Sequence, residues 1–130
     1  MNDLLSIDKD IWIKEAEKRN WRVNDGFSSN NIILEHNYRG YKACIDVGYA
    51  YYGGYGSMTT RLRIKAKEKF NPELQTKLNK AIINQKLLKL RSGKLYVLEK
   101  EIRVESNGVN NKETILDNLI ELAEIIIDYI

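Results

Sequence analysis

Residues 32–49 read IILEHNYRGYKACIDVGY, and the middle of that stretch decides the fold. Arg39-Gly40 is a turn signal between two runs in which apolar and polar residues alternate. In the second run Tyr41, Ala43, Ile45, Val47 and Tyr49 alternate with Lys42, Cys44, Asp46 and Gly48. Side chains on a strand point to opposite faces with a period of two, so the odd positions face a core. A hairpin with Tyr38 opposite Tyr41 then sets His36 opposite Ala43 and Glu35 opposite Cys44. The first strand turns Ile32, Leu34, His36 and Tyr38 to the core.

Working outward, YAYYGGYGS (49–57) links this hairpin to a third strand, SMTTRLRIKAK (57–67). Its glycines permit the positive φ that a long hairpin tip needs. In the third strand Met58, Leu62, Ile64 and Ala66 share one side. The other side carries Thr59 and a basic row of Arg61, Arg63, Lys65 and Lys67, extended to Lys69 if the strand continues. Residues on one side of a strand recur about every 7 Å.

Upstream, DKDIWIKEAEKRN (8–20) has helical spacing, with Trp12, Ile13 and Ala16 apolar and acids at its positive end. Residues 24–31, NDGFSSNN, are rich in loop formers. Downstream, NPELQTKLNKAIINQKLLKL (71–90) predicts a second helix, with Asn71 as N-cap, Pro72 at the first position and a stripe of Leu74, Leu78, Ala81, Ile82 and Gln85. Residues 94–106 are strand-like. They form either a hairpin bending at Glu99-Lys100 or one long strand with Tyr96, Leu98, Ile102 and Val104 in register. Residues 110–130 predict a third helix, Asn110 and Glu113 being spaced as a capping box. Leu116, Leu119, Ile120, Ala123, Ile126, Ile127 and Ile130 form its buried side. Leu122 and Ile125 widen that side, which places the helix at the centre of the fold or against a partner.

The predicted order is α-β-β-β-α-β-β-α. Strands joined by short turns imply an antiparallel sheet, and helices packed on it give an α+β fold. At 130 residues the chain fits a single domain over 1–130, large enough to hold a core without metal or disulfide.

Composition narrows the function classes. The net charge of +3 permits an anionic partner without requiring one. One cysteine, Cys44, allows no internal disulfide and suits a reducing compartment. The N-terminal residues lack the apolar run of a signal peptide, and LIELAEIIIDYI (119–130) is too short and too charged to span a bilayer, so a soluble cytoplasmic protein is expected.

Cys44 and the lone His36 fall on opposite sides of the predicted hairpin, so they do not form a nucleophilic pair. A structural zinc site takes about four Cys/His ligands, and no cofactor or metal is implied. GGYGS is followed by a strand rather than a helix and lacks the lysine of a phosphate loop. GGYGSMTT fails the basic and aromatic positions of an RNA-reading strand. Glu35 and Asp46 share the non-core side with Lys42, as members of a salt-bridged sheet surface.

Four stretches carry a resemblance. HNYRGYKACIDVGY, MTTRLRIKAK, LLKLRSGKLYVLEKEIRVESNG and NNKETILDNLIELAEII together resemble a family of bacterial domains of unknown function across most of 35–127. Many members carry the domain on the cytoplasmic side of transmembrane helices. This sequence departs from them in having no membrane segment. The resemblance assigns no catalytic residue. The element order is also similar to that of bacterial secretion chaperones, which dimerise or hold an unfolded segment.

These readings converge on a non-enzymatic binding or adaptor domain, chaperone-like and dimeric by that analogy, with a protein partner or self-association. The alternative is a nucleic-acid or acidic-partner binder that uses strand 59–69 and the tyrosine loop. Its candidate surface is Tyr51, Tyr52, Tyr55, Arg61, Arg63, Lys65 and Lys67.

Overall fold

The computed structural model describes residues 6–26, 31–49 and 58–130, with Tyr49 described by its backbone. Tyr51, Tyr52 and Tyr55 lie outside the described residues. The fold is α+β: a six-stranded antiparallel sheet, with its helices packed against it.

The central hairpin forms in the predicted register. Strands β2 (Ile32–Tyr38) and β3 (Tyr41–Tyr49) pair Tyr38 with Tyr41, His36 with Ala43 and Glu35 with Cys44. Arg39 and Gly40 both have positive φ, 50° and 83°, as the mirror-image turn of a two-residue hairpin requires. Positive φ is unfavourable for arginine. Its guanidinium lies 5.4 Å over the Tyr38 ring and pairs with Asp128 at 3.3 Å, and these contacts hold the tip down.

Two neighbours complete this side of the sheet. Strand β4 (Met58–Lys65) adds to β3, with Leu62 opposite Ile45 and Arg61 opposite Asp46. A strand that was not expected, β1 (Arg22–Asp25), adds to β2 and takes Asn24 and Asp25 from the predicted 24–31 loop. Four residues with such weak strand formers leave little local signal. What recruits them is the free edge of β2 and the burial of the preceding Trp21, which stacks on His36 at 5.3 Å.

Residues 94–107 form a hairpin rather than one long strand. Strands β5 (Lys94–Val97) and β6 (Glu101–Asn107) pair Leu95 with Val104 and Val97 with Ile102. Leu95 and Val97, rather than Tyr96 and Leu98, therefore pack against the core. The sheet order is β1-β2-β3-β4-β6-β5, so β4 is interior and not an edge.

The expected helix over 71–90 is broken into α2 (Leu74–Lys77) and α3 (Ala81–Leu88). At 100° per residue, a continuous helix would set Ile83, Leu87 and Leu90 opposite Leu74 and Leu78. The extended backbone of Lys80 (φ −118°, ψ 147°) rotates the second piece. Leu74, Leu78, Ile83 and Leu90 are all buried as a result, whereas Ala81, Ile82 and Gln85 of the predicted stripe face solvent.

Helix α4 (Glu113–Tyr129) is central. It lies on the sheet against β3 and β4, with α1 (Lys9–Lys18) on one flank and α3 on the other. Leu116, Leu119, Ile120, Leu122, Ala123 and Ile126 are almost wholly excluded from solvent. The wide apolar surface read from the sequence is thus consumed within the fold.

The capping box does not form. Lys112 is the N-cap, without a side-chain bond, and Asn110 is buried. The Asn110 amide Nδ2 donates among Thr60 Oγ1 (2.9 Å) and the carbonyls of Ser106 (3.3 Å), Asn107 (3.0 Å) and Gly108 (3.1 Å). Its backbone N–H donates to Thr60 Oγ1, and its carbonyl accepts from Trp12 Nε1 at 3.1 Å.

A chain of charges ties α1, α4 and α3 together. Arg19 donates to Asp117 and Glu121, and Lys86 reaches Glu121 from α3. Hydrogen bonds from Lys86 and Arg19 hold the Glu121 carboxyl below its usual pKa. Glu15, 1% exposed, lies near the Asp117 carboxylate, and Lys18 reaches it at 3.5 Å. Burial, then the contact with Asp117, raises the Glu15 pKa.

Two outcomes follow from these arrangements. Asn110→Asp keeps the size but aims a carboxylate at backbone carbonyls; it is expected to cost about 3 kcal/mol or more in urea unfolding, and more than Asn110→Ala. The folded state holds the Glu15 proton more tightly than the unfolded chain. Stability therefore falls as pH rises from the ordinary glutamate pKa through the raised folded value. Glu15→Gln should melt at a higher temperature than the parent at pH about 7.5, with the difference closing towards pH about 4. A difference that does not vary with pH would refute this assignment.

Candidate binding surface

The sheet face away from the helices carries Arg61, Arg63 and Lys65 of the predicted site. Cys44 lies on this face and His36 on the helix side, as the register required. Cys44 is 2% exposed, and burial pushes its thiol pKa up, against the opposing influence of Lys65, Lys42 and Arg63. It is an unreactive, packed thiol.

Arg61 and Arg63 do not stand as an open basic row. Asp46, itself buried, accepts from Arg61 Nε at 2.7 Å and from an Arg63 terminal nitrogen at 2.8 Å. Burial works against the Arg61 charge, but Asp46, together with the fields of Glu101 and Glu105, more than offsets it and raises the pKa. The Arg61 guanidinium lies over Gly48, where a Cβ would overlap it. Gly48 is therefore the residue that lets this arginine lie flat along β3.

The neighbouring charges are paired in the same way. Glu35 meets Arg22 at 3.2 Å and Lys42 at 3.3 Å. Burial would raise the Glu35 pKa, but hydrogen bonds from Arg22, Lys42 and Asn24 outweigh it and hold the carboxyl low. Arg103, directly opposite Arg63, is held by Glu101 at 2.7 Å. The salt-bridged sheet surface expected around Glu35, Asp46 and Lys42 is present.

Strand β4 ends at Lys65, so Lys67 and Lys69 leave the row. Ala66 turns away through its N–H to the Lys100 carbonyl, and Lys69 pairs with Glu99 at 3.0 Å. Exposed Lys67 instead joins a cleft of about 1050 Å³ between the β2–β3 turn, the β4–α2 connection and α2. Tyr41 and Phe70, stacked with centroids 6.2 Å apart, form part of its wall. Lys67 and Lys77 line it and pair with no carboxylate among the described residues.

A charge pattern missed in the sequence lies beside this cleft. From Leu74 to Leu98 there is no Asp or Glu, while Lys77, Lys80, Lys86, Lys89, Arg91 and Lys94 occur. The alternation of strand 57–67 drew attention to Arg61 and Arg63, whose partner came from another strand. Counting charge by segment would have found 74–98 without a structure.

Among the described residues no group of His, Cys, Asp and Glu is placed to hold a metal ion, and no helix is long and apolar enough to cross a membrane. Comparison with protein-family models and with curated proteins finds no match.

Removing Asp46 would take the paired carboxylate from Arg61 and Arg63, both largely buried beside Arg103. Asp46→Ala is expected to cost about 3 kcal/mol in denaturant unfolding. Lys65→Ala, which breaks no ion pair among the described residues, should change stability by less than about 0.5 kcal/mol.

Proposed function

We propose that this chain is a non-enzymatic binding domain that receives an acidic segment of a protein partner in the cleft at Tyr41 and Phe70. The observation that carries the reading is that Lys67 and Lys77, unpaired among the described residues, flank a stacked aromatic pair in a recess large enough for several side chains. Cations supply attraction and the rings supply apolar contact area at low entropic cost.

The same cleft bears Glu68 and Glu73. A peptide with spaced carboxylates can avoid them, whereas a continuous phosphate backbone meets them in close succession. This favours a protein segment over a nucleic acid. Nucleic-acid binding through the basic strand would rest on Lys65, Lys67 and the tyrosines 51, 52 and 55, since Arg61 and Arg63 are committed to Asp46. Self-association through α4 loses its motive, because that helix is covered by α1 and α3. The chaperone-like reading rests on the resemblance in element order.

The test is fluorescence anisotropy with a labelled decapeptide of interspersed glutamate and leucine, alongside labelled oligo-dT. Peptide binding is expected at low salt, weakening as salt rises from about 50 to about 300 mM. The double variant Lys67→Glu/Lys77→Glu should weaken it about tenfold or more. Tighter, equally sensitive binding of oligo-dT would reassign the cleft to nucleic acid. No peptide binding at low salt would sink the proposal.

A further inference from the structure

Ile82 and Leu88 are the large apolar side chains that stand exposed among the described residues, at 46% and 84%, and both belong to α3. That helix sits in the middle of the acid-free stretch 74–98. At 100° per residue its inner side holds Ile83 and Leu87. Its outer side presents Ala81, Ile82, Gln85, Leu88 and Lys89, all exposed. Lys86 is turned to Glu121, and Lys80 lies 5.8 Å over the Tyr129 ring. Lys89 and the following Arg91 and Lys94 meet no carboxylate among the described residues. A large aliphatic side chain is thus exposed on a helix whose own segment, 74–98, carries cations and no acid.

We propose that the outer side of α3 docks on an anionic lipid bilayer surface. Leu88 and Ile82 enter the boundary between headgroups and acyl chains, while Lys89, Arg91 and Lys94 meet the headgroup phosphates. Apolar contact and electrostatic attraction act together in this mode. Charge separates it from the other occupants: the cations of 74–98 complement an anionic headgroup layer, which accepts an exposed leucine without a preformed pocket. Aliphatic side chains give bases nothing to stack on, unlike the aromatic platforms of single-strand binders. A second copy would bring the same cations face to face.

The test is co-sedimentation of the intact chain with vesicles of phosphatidylglycerol and phosphatidylcholine at about 1:1, against phosphatidylcholine alone. Binding is expected to the anionic vesicles and to fall with salt. Leu88→Ser should weaken it about fivefold. Lys89→Glu should weaken it about tenfold. Both residues are exposed, and circular dichroism checks that the variants fold. Leu88→Trp should shift its emission to the blue on adding anionic vesicles, which reads insertion directly. Lys67→Glu, in the cleft, should leave vesicle binding within about twofold, so the two proposals fail separately.

No sedimentation with anionic vesicles overturns the inference, as does binding that ignores Leu88→Ser and Lys89→Glu. Loss of acidic-peptide binding in those variants, without vesicle binding in the parent, would assign the face to a protein instead.

Discussion

The buried amide of Asn110 is the constraint on which the rest of the structure depends. Its two amide hydrogens are shared among four oxygens from β4 and the end of β6, and its own carbonyl receives the Trp12 indole. That one residue fixes where the chain leaves the sheet, where α4 begins and where α1 rests. Once α4 starts there, its length runs over β3 and β4, and the apolar residues around it must be covered on both flanks. Helices α1 and α3 supply that cover. Leaving the amide N–H groups or the carbonyls they meet unpaired in such a place is costly, although the amide oxygen itself has no partner among the described residues.

Charge is used differently on the two surfaces. On the open sheet face, carboxylates on β2 and β3 meet cations from neighbouring strands, those on β6 meet Arg103 of their own strand, and Glu35, Asp46 and Glu105 are buried. Such a surface specifies register, because a strand that slips by one residue would turn its own charged groups into the core. Around α2 and α3 the cations meet few internal partners. Unspent charge and unspent apolar area coincide there, and both proposed surfaces draw on that region.

Much of the fold was legible. The Arg39-Gly40 turn, the register of the hairpin it closes and the apolar sides of β4 and α4 follow from period-two and period-3.6 patterns and a turn signal. The site was less legible, for a specific reason. A period-two row of Arg61, Arg63, Lys65 and Lys67 shows that the side chains share a face, but not what faces them. Asp46 is fifteen residues from Arg61 in the chain and directly opposite it in the sheet. The row looked free in one dimension and is neutralised in three.

The sequence by itself determined the class of the fold, the order of its principal elements and the central hairpin, because these depend on local patterning and turn chemistry. Tertiary structure decided the rest. It added β1 through the open edge of β2 and broke the second helix so that Leu78 and Ile83 could both be buried. It drew Asn110 out of a cap into a cage of oxygens. It also sorted the cations into those held by a carboxylate and those left to bind something else. Each of these outcomes turns on a partner far away in sequence, and no local pattern names such a partner.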